Sequence, residues 1–189
     1  MNPGSYFLAM ARNNAWANHR LLKACAALSD TEFAAERTSF FPSIVATYNH
    51  ILVVDWFYVD ALEGGTLGPK AWENEIPYPG FKEFRVAQKA VDQRLITLCE
   101  KLDQEKLCAP VYMHRATAIQ TDRVDRILLH LFEHQVHHRG QIHAMLAGTV
   151  VLPPQLDEFF CAGDAKFRAD DFAELGWNEA EIWRGMEKP

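Results

Sequence analysis

Between residues 81 and 102 apolar positions recur in steps of three and four. Phe81, Phe84, Gln88, Val91, Leu95, Leu98 and Leu102 fall on one stripe, the period of a helix with a single buried face. A second helical segment, VDRILLHLFEHQVHHRGQIHAMLA, follows Asp122, which can cap it. It carries Asp125 in its first turn and is stopped by Gly148, with Pro153 and Pro154 beyond. Ser43 can cap a third, SIVATYNHILVVDWFYVDALEG. Its Val, Phe and Tyr would also suit a strand, but roughly 20 residues without a turn signal favour a helix, ended by Gly64 and Gly65. A weaker stripe of Leu8, Ala11, Ala15, Leu22 and Cys25 predicts a first helix from Gly4 to Leu28.

Four long helices joined at 29–42, 64–80 and 103–121 predict an all-α fold, a four-helix bundle with one long crossover. The segment GGTLGPKAWENEIPYPG holds too much Gly and Pro to continue a helix. It predicts an ordered loop over the bundle, of a length that often carries function. Past Leu152, short helices at 165–175 and 178–186 must dock to be stable. The chain therefore divides into a bundle over residues 1–152 and a C-terminal extension over 153–189 packed outside it. No strand pattern competes, although VYM at 111–113 can pair briefly.

Composition narrows the function. The 189 residues, 49% hydrophobic and 23% charged, suit one domain with its own core. A net charge of −6 argues against nucleic acid, whose binders neutralise phosphates. The acid is concentrated in the extension: from Asp157 onward there are nine acidic and four basic residues, leaving the rest nearly neutral. No apolar run approaches the ~18 to 20 residues that span a bilayer, and MNPGSYFLAMARNN lacks a signal peptide's charged start and apolar stretch, so a cytoplasmic protein without membrane contact is expected. Cys25, Cys99, Cys108 and Cys161 form no C-x-x-C pair and read as reduced thiols. Any metal needs other ligands.

Histidine supplies them. Five of eight, His130, His134, His137, His138 and His143, fall in one helix, whose stripe runs Val124, Ile127, Leu131, His134, His138, Gln141, Met145. His134 and His138 thus occupy seam positions where Leu or Ile is usual. At i and i+4 two rings can reach one divalent cation. A lone seam histidine is more often a core residue bonded to a carbonyl, but two need a partner for every ring nitrogen. A facing helix offers His50, on a face with Thr47, Val54, Phe57 and Ala61. Spacing alone leaves other pairings open, such as His130 with His134. Three neutral imidazoles leave a position for water or substrate, as in catalytic sites. His137 lies off the seam, His114 and His143 read as solvated, and His19 is placed to line the bundle mouth.

Three blocks carry a family resemblance: NNAWANHRLLKACAALSDTEF at 13–33, SIVATYNHILVVDWFYVDALEG at 43–64, and HLFEHQVHHRGQIHAML at 130–146. The last contains H-x-x-x-H-R-G-Q, and the set resembles the DinB family, described together with YfiT-like metal-dependent hydrolases. The resemblance implies an up-down-down-up bundle with His50, His134 and His138 as metal ligands, nickel or zinc as the metal, and a homodimer. It also implies relatives that transfer or isomerise substrates using low-molecular-weight thiols. Imidazole itself favours late transition metals over magnesium. The many aromatics, among them Trp16, Trp56 and Trp72, also suit an interface.

Neighbouring residues take auxiliary roles. Gln141, one turn from His137 and His138, can orient a ligand ring. Asp55, five residues after His50, is the nearest acid on its helix, a candidate acceptor or general base against the plainer reading of a solvated or Arg-paired carboxylate. Arg139 points to a carboxylate fork, across an interface if there is one. Trp72 and Tyr78 in the 64–80 loop are placed to cover the mouth and hold an apolar acceptor. The expected protein is a small metal-dependent enzyme of thiol-transferase or hydrolase type acting on a small molecule; the alternative is a noncatalytic metal-binding stress-response protein.

Overall fold

The computed structural model describes residues 3–184 and 186. Four long helices, α1 (Gly4–Cys25), α3 (Ile44–Leu62), α4 (Phe81–Cys99) and α6 (Val124–Ala147), dominate, with short α2 (Asp30–Ala34), α5 (Gln104–Cys108), α7 (Ala165–Leu175) and α8 (Glu179–Ile182) between and after them. α1 packs on α4 and α6, and α3 packs on the same two, so each long helix buries one face against two others. Ile51, Leu52, Leu95, Leu131 and Leu146 fill the space between them. No helix among the described residues is long and apolar enough to cross a membrane.

The local chemistry explains most boundaries. The Ser43 hydroxyl accepts from the Ala46 amide and starts α3. α6 starts differently from the sequence expectation: Asp122 lies in a strand, Arg123 holds the N-cap position without a side-chain bond, and the Val124 amide donates instead to the Ala109 carbonyl. The strand belongs to a hairpin, β1 (Pro110–His114) against β2 (Ile119–Arg123), antiparallel with Tyr112 opposite Thr121. Val111 and Met113 point inward and Tyr112 outward, the two-residue period of a half-buried strand. Among the described residues the chain is therefore mostly helical with one small sheet. α1 ends at Cys25, three residues before the expected Leu28, and α4 ends at Cys99, three residues before the last position of its stripe, Leu102. The first connection also holds a helix: Ser29 and Glu32 form a capping box that nucleates α2.

The C-terminal residues dock on α1. Trp16, fully buried, packs with Phe159, Phe172 and Ile182, and its indole donates to Asp171 on α7 at 3.2 Å. Arg20 donates to Asp171 at 2.6 Å and to Glu158 at 2.5 Å while lying 4.4 Å over the Trp16 ring. Arg168, also fully buried, donates to the carbonyls of Glu158 and Cys161 and pairs with Glu179. A buried guanidinium needs this complete set of partners. Trp16, read from the sequence as interface material, is thus spent inside the chain.

Candidate metal centre

α3 and α6 bring His50, His134 and His138 together, with ligand nitrogens all within 4.8 Å of one another. The Nε2 atoms of His50 and His134 are 3.0 Å apart. Bonds of 2.0–2.1 Å to one tetrahedral zinc would separate two nitrogens by roughly 3.3 Å, so the rings fit a shared ion with little movement. The His138 ring centroid is 4.6 Å from that of His50 and 4.4 Å from that of His134. His138 is buried and the other two half-buried.

The electrostatics favour neutral rings. Burial, reinforced by the neighbouring His138, pushes His50 down to about 4, and burial with the surrounding histidines pushes His134 down to about 3. His138 is lowered by burial, partly offset by its bond to Gln141. An unprotonated imidazole is the form that binds a metal. His138 Nδ1 donates to Gln141 Oε1 at 2.8 Å, which leaves Nε2 as the free lone pair, and Gln141 Nε2 donates to His137 Nε2 at 3.1 Å. His134 Nδ1 is buried without a partner. The cluster holds three bases and no acid, and this donor set fits a divalent late transition metal.

The other sequence candidates lie elsewhere. His130 is exposed, its ring 6.4 Å from His134 and 5.2 Å from Tyr58. His143 bonds the Pro154 carbonyl at 2.9 Å rather than standing in solvent. His19 lies near Asp171 and Glu174, but Arg20 and Lys23 already neutralise those carboxylates. Cys25 and Cys99 are buried, their thiols pushed up by burial to about 11 and about 12, so neither is a ready thiolate.

Asp55 is not brought to the histidines, nor is it solvated. It is 2% exposed, and its Oδ2 accepts from Gln88 at 2.9 Å and from Gln135. These belong to a second polar cluster between the helices. Asn14 donates to Asp92 Oδ1 at 3.2 Å, Asn18 reaches both Asp92 oxygens, and Gln88 donates to Asp92 as well as to Asp55. Arg139 faces this cluster instead of an interface, donating to Asn14, to Asn18 at 3.1 Å and to Gln135 at 3.1 Å. Burial, with Asp92 adding to it, pushes Asp55 up to about 8; burial pushes Asp92 up to about 6 and Arg139 down to about 10.

Two segments absent from the periodic reading wall the centre. Phe41 lies 4.2 Å from the His50 ring and 5.5 Å from the His138 ring. The 64–80 loop is pinned to α3 at both ends: the Leu67 amide donates to Asp60 at 2.8 Å, while fully buried Asn49 donates to the Tyr78 carbonyl and accepts from its amide, both at 2.9 Å. Trp72 packs on Phe57 at 4.8 Å and Tyr78 on Trp56 at 6.0 Å. A cavity of about 390 Å³ opens between this loop, Phe41 and His50. A larger one, about 720 Å³, lies beneath the hairpin beside Leu62 and Leu98 and contains none of the three histidines.

Known proteins resemble this chain in sequence and fold. Protein DinB of Bacillus subtilis (strain 168) is 24% identical over 139 residues, 70% of this chain and 80% of that protein. A crystal structure of a DinB-like protein from Bacillus cereus ATCC 10987 superposes with a TM-score of 0.63 at 15% identity, over 79% of this chain and 94% of its own, a likeness of fold. The sequence pattern of the DinB family matches residues 1–163, a span that includes both helices of the three-histidine cluster, and the chain accordingly belongs to the DinB family.

Proposed function

We propose that this protein is a metal-dependent enzyme of thiol-transferase or hydrolase type, built on an up-down-down-up four-helix bundle, with zinc or nickel held by His50, His134 and His138. The observation that supports it most is the convergence of three neutral imidazoles from two facing helices with no charged partner of their own. A cation there keeps its full charge and lowers the pKa of a coordinated thiol or water, to roughly 7 for water in favourable zinc sites. Gln141 orients the His138 ring, and Phe41 shields the His50 face from water. With Cys25 and Cys99 protonated in the core, and neither Cys108 nor Cys161 in the histidine cluster or lining the cavity beside it, the thiol is a low-molecular-weight cosubstrate rather than a side chain. The protein acts in the cytoplasm on a small molecule, without nucleic acid or membrane.

Titration of the cobalt-substituted protein with small thiols tests the reading. A sulfur-to-metal charge-transfer band is expected; a cobalt spectrum unmoved by thiols and small anions means a closed site, and the noncatalytic metal-binding protein replaces the enzyme. The protein is further proposed to be a homodimer. Trp16 no longer argues for this, but Leu129 and Val136, seven residues apart on α6, are more than half exposed. Light scattering at micromolar concentration should give twice the 21.5 kDa chain mass, and a single chain mass sinks the dimer.

A further inference from the structure

The cavity beside His50 has a wall, a size and a charge that together specify an occupant. We propose that it is the acceptor pocket of the enzyme and takes a compact apolar group, best a single aromatic ring, that bears no negative charge; this rests on the metal-dependent reading above.

Position comes first. His50 is both a member of the three-histidine cluster and a wall of the cavity, so a group seated there lies next to the metal's ligands. Phe41, Val54, Trp72 and Ile76 are among the apolar side chains that line it. Phe41 meets the His50 ring at an interplanar angle of 31°, which leaves a flat aromatic boundary between ligand and pocket. At about 390 Å³ the space sits at the small end of ligand pockets and admits a ring with a short substituent, not a dinucleotide.

Charge decides among such ligands. Glu75 is the single charged side chain lining the cavity among the described residues, and no Lys or Arg joins it. Without the metal, a carboxylate or sulfonate on the ligand would meet Glu75 with no Lys or Arg in the lining to compensate it, whereas a neutral or cationic group is tolerated or favoured. The wall is also preformed. Asn49 clamps Tyr78 in both directions and Asp60 holds Leu67, so the loop carrying Trp72, Glu75 and Ile76 is ordered before a ligand arrives.

The test uses two ring probes with fixed opposite charge, benzyltrimethylammonium and benzenesulfonate, titrated calorimetrically into the full chain with zinc and after chelation. After chelation the ammonium should bind about fivefold or more tightly than the sulfonate. Glu75→Gln should level the two, and Ile76→Trp, which fills the space from an exposed loop, should weaken the ammonium at least about tenfold with an unchanged melting temperature. Chelation should enlarge the preference, since a divalent cation held by His50 would attract the sulfonate and repel the ammonium, while Glu75 and Ile76 stay in place. Equal binding of the two probes after chelation, or indifference to Ile76→Trp, overturns the assignment. Zinc content before chelation separates the two claims: zinc bound there without ring discrimination after chelation removes the pocket alone, and discrimination by a chain that bound no zinc removes the metal reading while the pocket stands.

Discussion

α6 carries two polar columns side by side, His134 with His138 and Gln135 with Arg139, each spaced i and i+4 and offset by one residue. The first column meets His50 at the half-exposed edge of α3; the second meets Asp55, Gln88, Asp92, Asn14 and Asn18 between all four long helices. Both are polar groups inside a helical core, yet they are built to opposite rules. The inner cluster contains its own counter-charge, Arg139 against Asp92, and most of its polar atoms are bonded within the chain, Asp55 Oδ1 and Gln88 Oε1 excepted. The outer cluster gathers bases that have only each other and Gln141. A self-neutralised network holds helices in register, whereas a set of like donors without an acid needs something from outside.

Single substitutions separate the two. His138→Ala should lose stoichiometric zinc altogether in elemental analysis while circular dichroism stays helical; retained zinc would remove His138 from the ligand set. Arg139→Met, one residue on, should instead cost about 3–5 kcal/mol in urea unfolding, because Asp92 and three amides lose the cation that they surround. A loss under about 1 kcal/mol would mean that the inner network contributes little to stability. Gln141→Ala should weaken zinc by roughly 10–100-fold without unfolding, through loss of the bond that aims His138 Nε2; unchanged affinity in a competition titration argues that Gln141 serves His137 alone.

The smallest effect is in pH, and there the clusters pull in opposite directions. Histidines held at about 4 and about 3 refuse protons that the unfolded chain takes up near 6.5, so they remove stability as pH falls from about 6.5. Asp55, held at about 8 against 3.8 unfolded, keeps a proton the unfolded chain has already released; its contribution is complete below about 4 and is lost as pH rises through 8. Asp55→Asn mimics the neutral acid, since an amide oxygen still accepts from Gln88 and Gln135. Melting curves should show the alkaline decline flattened and the acid decline unchanged. An unaltered alkaline limb would assign it to another group.

Much of this was legible in the sequence, for uneven reasons. α7 spans the residues its pattern marks, 165–175, and α3 begins at Ser43's cap, because period and capping are local properties. α2 was equally local, written in Ser29 and Glu32, and was hidden only by its shortness. The β1–β2 hairpin was not local: Ile119–Arg123 shows no clear alternation, and its pairing depends on Val111 and Met113 finding the core. The three histidines announced themselves as bases on an apolar stripe. The inner network did not, because Asp55 and Arg139 read as outward-facing charges until their partners are known. Its trace was present in three polar i and i+4 pairs, Asn14 with Asn18, Gln88 with Asp92, and Gln135 with Arg139, one on each of three helices, and Gln88 already interrupted an apolar stripe.

Asn49 and His50 are consecutive on α3, and the amide of one carries the loop at Tyr78 while the ring of the other faces the histidine cluster. If zinc binding and loop order are coupled through this pair, the coupling is reciprocal. By whatever factor an ordered loop tightens zinc, bound zinc stabilises the ordered loop by the same factor. Slower proteolysis between residues 64 and 80 on addition of zinc, with the effect abolished in Asn49→Ala, would measure that factor from the loop's side.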